Sequence, residues 1–186
     1  GYLKEKFSEL KEAYPNLTIV ENPYFDIANN ISSLYAVREH LEEAIILDGD
    51  QLIFNSNILH PEFTRSGYAC IPVENGTDEW LMQVNTDGVV TSCSRSGGEK
   101  GWQLYSISRW TKEDGEKLKH HLEIEFEEKK NHEIYWDDVA MFCYPTEYEM
   151  GIYPMQQGDI VEIDSLEELV TMDASYQTLL EEAHYE

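Results

Sequence analysis

The sharpest chemical signal in the chain is Asp48-Gly49-Asp50, two carboxylates separated by one glycine. Oxygen donors at that spacing suit Mg²⁺ or Mn²⁺, and a cation held there can also hold a diphosphate. Gly49 permits the tight turn between them. The same three residues also make an ordinary turn with two solvated acids, a role that Asp and Gly fill constantly. The motif alone leaves both readings open.

Six aromatics form a second group: Tyr35, Trp80, Trp102, Trp110, Tyr135 and Trp136. An aromatic face attracts a quaternary ammonium group by about 0.5–2 kcal/mol per contact, while any single ring serves equally well as core. Glu79-Trp80 and Tyr135-Trp136-Asp137-Asp138 stand apart because carboxylates adjoin the rings, which also suits a cation. The glycine cluster at residues 97–101 has Arg95 and Lys100 for charge. A strand pattern follows it rather than a helix, so it lacks the helix N-terminus that stabilises phosphate and reads as a connection. No Walker or Rossmann glycine motif occurs. His120, His121, His132 and His184 pair recognisably with no nucleophile, and residues 123–130 read as a solvated helix face.

These side chains need elements to position them. Leu3, Phe7 and Leu10 recur at helical spacing until Pro15. Residues 17–20 read as a short strand, Asn29 and Asn30 as caps for a helix over 31–41, and residues 44–47 as a buried strand running into Asp48. Helix, strand, helix, strand in this order predicts parallel βαβ winding, with ligands at the carboxyl ends of strands, where Asp50 lies. Residues 68–73, 80–84, 89–93 and 102–107 are further strands, with Asp87-Gly88 as a hairpin turn. Thr111 to Asp114 resembles a capping box for a helix reaching residue 130, and Ser165 to Glu168 starts the last helix after a strand at 160–163. With no repeat and no Pro/Gly/Ser linker, residues 1–186 read as one domain.

Composition excludes several functions. Against 37 Asp and Glu stand 13 Lys and Arg, a net charge of −24, which disfavours capture of nucleic acid or anionic lipid. A hydrophobic share of 41% and 12% aromatics belong to a folding chain. No apolar run reaches the roughly 20 residues of a membrane span, which predicts no membrane insertion. Cys70, Cys93 and Cys143 lie far apart, without metal-ligand spacing, as suits a reducing cytoplasm.

Several stretches together resemble a known family. NNISSLYAVREHL at 29–41 followed by AIILDGDQLIF at 44–54, then TDEWLMQV, WQLYSISRW, EIYWDDV and VEIDSLEEL in order, are similar to the bacterial phosphocholine cytidylyltransferases of the LicC type. That resemblance implies an α/β, Rossmann-like nucleotidyltransferase fold with a mixed, mainly parallel sheet flanked by helices. It implies transfer of CMP from CTP to phosphocholine, or a related phosphorylated amino alcohol, with Mg²⁺ as cofactor and pyrophosphate as product. In this picture Asp50 is the first metal ligand, and the second is Asp164 or its rival Asp137. Asn30 and Ser33 lie near the nucleotide, with Tyr35 beside them as a substrate-binding candidate. Trp80, Tyr135 and Trp136, with Glu79, are the candidates for the choline pocket.

One departure accompanies the match. The family begins with a strand and a glycine-rich loop that cradles the triphosphate, and nothing here matches it. The chain opens at Gly1 without Met and is soon in a helical pattern, which predicts an internal starting point and weak catalysis by this polypeptide alone. An uncovered sheet edge predicts association between chains, a homodimer in the simplest case. Two other readings remain. A metal-dependent glycosyltransferase would use the same DxD on a nucleotide sugar and release a nucleoside diphosphate. A non-catalytic ligand-binding domain would bind its ligand unchanged after Asp50→Asn.

Overall fold

The computed structural model describes Gly1 and residues 3–183; His184 lies outside them. Eight strands follow in chain order: β1 (Ala44–Ile46), β2 (Gln51–Ile53), β3 (Gly67–Val73), β4 (Leu81–Val84), β5 (Val90–Ser94), β6 (Gly101–Trp110), β7 (Gly151–Pro154) and β8 (Ile160–Glu162). The helices are α1 (Leu10–Ala13), α2 (Ile31–Ala36), α3 (Lys112–Glu123), α4 (Leu166–Met172) and α5 (Gln177–Ala183), with short 3₁₀ and π turns between elements.

The main sheet runs β5-β4-β6-β3-β7, and β1 also pairs with β6. It is mixed, as expected, but the expected dominance of parallel pairs is corrected. Among the described residues β3–β7 is the one parallel ladder; β1–β6, β3–β6, β4–β5 and β4–β6 are antiparallel. For β4 and β5 the reason is local. Asn85 and Gly88, the latter at φ +73°, close a tight hairpin between β4 and β5, and tight turns can join only antiparallel strands. Residues 17–20 form no strand, and Leu17 and Val20 stay exposed. β2 and β8 form a separate antiparallel ribbon.

β6 organises the molecule because its two faces serve two cores. Leu104 and Trp110 join Ile31 and Leu34 of α2, Leu118 and Leu122 of α3, and Tyr68, Trp136 and Val139 in the larger cluster. Ile107 faces the smaller one with Ile58, Ala69, Met155 and Ile160. The period-2 alternation of a strand makes this division. α3 begins at its expected N-cap, where Thr111 Oγ1 accepts from the Asp114 N–H at 3.3 Å, but the box stays half formed because the Thr111 N–H donates to Ser66 Oγ at 3.0 Å. Gly115 lets α3 approach residue 41, since a Cβ there would meet the Leu41 carbonyl oxygen at 2.2 Å. Ser165 and Glu168 form the complete capping box of α4.

One local expectation changes, and two further features gain definition. The helix after α3 is not wholly solvated: Glu125 is buried and takes hydrogen bonds from Lys129 Nζ (2.6 Å) and Asn131 Nδ2 (3.0 Å). His121 is buried too, stacked 3.7 Å from Tyr144 with Nδ1 2.7 Å from the Tyr148 hydroxyl. The glycine cluster is pinned by backbone hydrogen bonds between Thr77 and Gly98 in both directions.

Candidate active site

The cleft arises from strand register. β1 and β4 pair with different ends of β6, Ile46 opposite Ser108 and Leu81 opposite Gln103. Both therefore leave the middle of β6 uncovered. Continuing β1 by two residues brings Asp48 to the level of Ser106, and continuing β4 backwards by one brings Trp80 to Leu104, where the Leu104 N–H donates to the Trp80 carbonyl at 2.8 Å. Asp48 and Glu79-Trp80, 31 residues apart in the chain, meet over one gap.

The gap is a cleft of about 230 Å³ lined by Asn30, Asp48, Glu79, Trp80, Gln103, Leu104, Ser106, Tyr135, Asp137 and Glu162. Four of these are carboxylates and none is Lys or Arg. The far wall is the loop before the helical turn at Asp137, and α2 holds that loop. Asn30 does not cap α2 with its side chain; its Oδ1 instead accepts from the Trp136 N–H at 2.9 Å. The Asn29 N–H donates to the His132 carbonyl (2.8 Å), and Asn29 Nδ2 donates to the Glu133 carbonyl (3.1 Å). Between helix capping and long-range latching, latching won.

Neighbouring Asp137 and Asp138 have different fates. Asp138 accepts from Arg95 Nε at 3.0 Å and from the Tyr135 N–H at 2.9 Å. Arg95 in turn lies 3.6 Å over the Phe142 ring and 5.7 Å from the Trp80 ring, so one cation both neutralises Asp138 and steadies the aromatic wall. Asp137 is 4% exposed, and its Oδ1 has no partner; Ser106 Oγ reaches only Oδ2, at 3.4 Å. Burial pushes its carboxyl well above the ordinary range; the Tyr68 and Ser106 hydroxyls act against the shift, while Asp48 and Asp138 add repulsion. Burial also raises Asp48, with Asp50 adding repulsion and Ser106 and Trp136 acting against it. An ammonium ion in the cleft would relieve both groups.

A second group of acids lies where β2 begins and β8 ends. The Ile163 N–H donates to the Asp50 carbonyl at 2.9 Å, which brings Asp50 beside Asp164 and Glu162. Desolvation raises the Glu162 carboxyl, Asp50, Asp164 and Asp48 add repulsion, and Gln51 Nε2 opposes the shift through a 3.1 Å hydrogen bond. Hard oxygen donors under mutual repulsion fit a magnesium ion, which uses one or two carboxylates and completes its shell with water and phosphate oxygens. Among the described residues no three His, Cys, Asp or Glu side chains form a preassembled metal cage.

The structure thus brings Asn30, Glu79, Trp80, Tyr135 and Asp137 to one cleft, and sets Asp50 and Asp164 next to its Glu162 wall. Other candidates sit elsewhere. Tyr35 stacks on Phe126 at 4.3 Å and hydrogen-bonds to Glu127. Ser33 is exposed on α2 and accepts from Asn22 Nδ2 at 3.2 Å. Trp136 is 3% exposed, its ring against Tyr68 and Trp110 in the core, so its backbone and its indole N–H, which acts on Asp48, rather than its face serve the cleft. Gln103, Ser106 and Glu162 escaped the sequence reading. Glu162 carried a faint signal, an acid two residues before Asp164 on a strand pattern; Gln103 and Ser106 carried none.

No protein-family model matches the chain. It is 31% identical over 182 residues to a 2-aminoethylphosphonate cytidylyltransferase of Lancefieldella rimae, covering 97% of this chain and 73% of that relative. The chain belongs to the cytidylyltransferases. A choline-phosphate cytidylyltransferase of Streptococcus pneumoniae is 29% identical over 168 residues, covering 90% of this chain and 72% of its own length. The solved structure of the CTP:phosphocholine cytidylyltransferase LicC from Streptococcus pneumoniae superposes with a TM-score of 0.83 at 28% identity, over 94% of this chain and 75% of that one. The mixed sheet flanked by helices is therefore the Rossmann-like nucleotidyltransferase fold. This cytidylyltransferase has, among its described residues, no helix long and apolar enough to cross a membrane.

Proposed function

We propose that this cytidylyltransferase moves the cytidylyl group of CTP onto a small phosphorylated or phosphonate amine, whose ammonium end sits in the acid-lined cleft. An acceptor phosphate or phosphonate oxygen attacks the α-phosphorus of CTP. The bond from that phosphorus to the bridging oxygen of the β-phosphate breaks, and pyrophosphate leaves with the electron pair. Such a reaction depends on positioning and on neutralising phosphate charge. Mg²⁺, when bound, supplies that neutralisation. Asp50 and Asp164 are the residues we assign to hold it, with Glu162 beside them. Asp137 serves the ammonium instead, since the charges that act on it are those of Asp48 and Asp138. The three unpaired cysteines support a cytoplasmic setting.

The observation that carries the choice of acceptor is the buried Asp137 carboxyl on the cleft wall, whose Oδ1 completes no hydrogen bond although the Tyr68 hydroxyl acts on it. A primary ammonium group has three N–H donors to offer it; a quaternary one has none. This favours 2-aminoethylphosphonate or phosphoethanolamine. Phosphocholine is the second reading, favoured by the Trp80 and Tyr135 rings, which meet edge to face at 85° with centroids 6.1 Å apart.

The test is pyrophosphate release by the native protein with CTP, Mg²⁺ and one acceptor at a time. We expect the highest kcat/KM with a primary amine. A higher value with phosphocholine selects the second reading. Release with a hexose phosphate alone overturns the ammonium cleft, and release of a nucleoside diphosphate from a nucleotide sugar overturns cytidylyl transfer to an amine.

A further inference from the structure

We propose that a second cavity, on the opposite face of β6 from the cleft, binds a tetrahedral oxyanion through Arg109, with inorganic phosphate as its simplest ligand. The cavity measures about 310 Å³ and is walled in part by Arg109, Tyr153, Asn55, Asn57 and His60. Ser106 faces the cleft and Arg109, three residues on, faces the other way, as strand alternation requires. The inference is independent of the acceptor assigned above.

Arg109 is 4% exposed. Its Nη2 donates to the Ile58 carbonyl, and its guanidinium carbon lies 4.0 Å over the Tyr153 ring. Its Nη1 is buried without a hydrogen-bond partner. Among the described residues it forms no ion pair, whereas Arg38 and Arg95 each hold a carboxylate. In a chain with 37 acidic residues, a buried guanidinium without a counter-ion is an isolated charge of the costly kind. An anion in the adjoining cavity would offset that cost.

The surrounding groups determine which anion. The Glu62 N–H donates to His60 Nδ1 at 3.2 Å, so a neutral ring carries its proton on Nε2, a donor. Asn55 Oδ1 accepts from the Asn57 N–H at 3.1 Å, which leaves the Asn55 amide hydrogens as donors. Two carboxylates share the wall: Asp159, whose Oδ2 accepts from the Gln156 N–H at 2.9 Å, and Glu62. They weaken the affinity by charge repulsion. Nη2 spends one of its two hydrogens on Ile58, so the donors left around the cavity, on Arg109, Asn55 and His60, point from separate directions rather than from one fork. A tetrahedral oxyanion can collect single donors from several directions.

The test is a titration with inorganic phosphate, without nucleotide or Mg²⁺, followed by the NMR signals of the histidine rings. We expect the His60 ring signals to shift saturably with phosphate and to stay still with acetate at equal ionic strength. Arg109→Gln should abolish the shift. A His60 signal that never saturates, that responds equally to acetate, or that responds unchanged in Arg109→Gln overturns the proposal. If Arg109→Gln fails to fold, Asn57→Asp at an exposed position should weaken phosphate by about tenfold through charge repulsion. Unchanged affinity in that variant overturns the proposal equally.

Discussion

Asp137 on one side of β6 and Arg109 on the other are each 4% exposed, and each keeps one charged-group atom without a partner. Asp138 and Arg95, by contrast, have found each other. The two groups cannot meet, because the sheet that carries Ser106 and Arg109 on opposite faces stands between them. On the cleft side the excess is negative: Asp48, Glu79, Asp137 and Glu162 surround one space. On the other side a single buried guanidinium, without an ion pair among the described residues, shares its cavity wall with Asp159 and Glu62. Folding alone does not retain such charges, since each costs stability when unpaired. Their sign therefore reads as the inverse of the ligand expected on each face.

The comparison breaks most sharply at the metal side of the cleft. Asp50→Asn and Asp164→Asn should each lower Mg²⁺-dependent pyrophosphate release by about a hundredfold or more, since metal ligation contributes several kcal/mol. Retained turnover in both would return these acids to plain surface. Next comes Asp137→Asn, expected to raise the acceptor KM by about 10–100-fold, the worth of a hydrogen bond between charged groups, while CTP affinity measured by calorimetry stays unchanged. Trp80→Leu should raise the KM by about 2–30-fold, with the larger effect on phosphocholine if that acceptor is used at all.

The smallest effects concern stability, and they set the two faces side by side. Burial raises the folded-state pKa of Asp137, so the folded protein keeps that proton to higher pH than the unfolded chain does. The stability tied to the proton is full below the ordinary carboxylate range, near about pH 4, and is lost as pH rises towards the raised value. Thermal melts of Asp137→Asn should therefore decline less across that interval than those of the native protein. Arg109→Met, which removes the other unpaired charge but also the bond to Ile58, should lie within about 1 kcal/mol of native stability. A large loss would mean that the guanidinium is structural.

Legibility in the sequence followed the range of the forces involved. The N-cap at Thr111, the box at Ser165 and the hairpin at Asp87-Gly88 were readable because each is made within four residues. The parallel winding expected of the first half was not, because β1 takes its direction from β6, about 60 residues later. The aromatic-acid pairs at Glu79-Trp80 and Tyr135 to Asp137 were readable as composition. Their division of labour was not: Trp136 went to the core and Asp137 to the cleft. Tyr35 stood out as an aromatic beside Asn30, and the helix turned it towards Phe126.

By itself, the sequence determined a folding acidic domain, its helix starts and turns, the DxD beside a buried strand, and motifs in the order of a cytidylyltransferase. All of these are local, or are properties of composition and motif order. Only the tertiary structure decided that β1 and β4 stop short of one another on β6, that Asp48 and Trp80 face each other across the gap, and that Arg109 looks the other way. Those outcomes depend on register between strands distant in the chain, and a shift of one residue would have sent every one of these side chains to the opposite face.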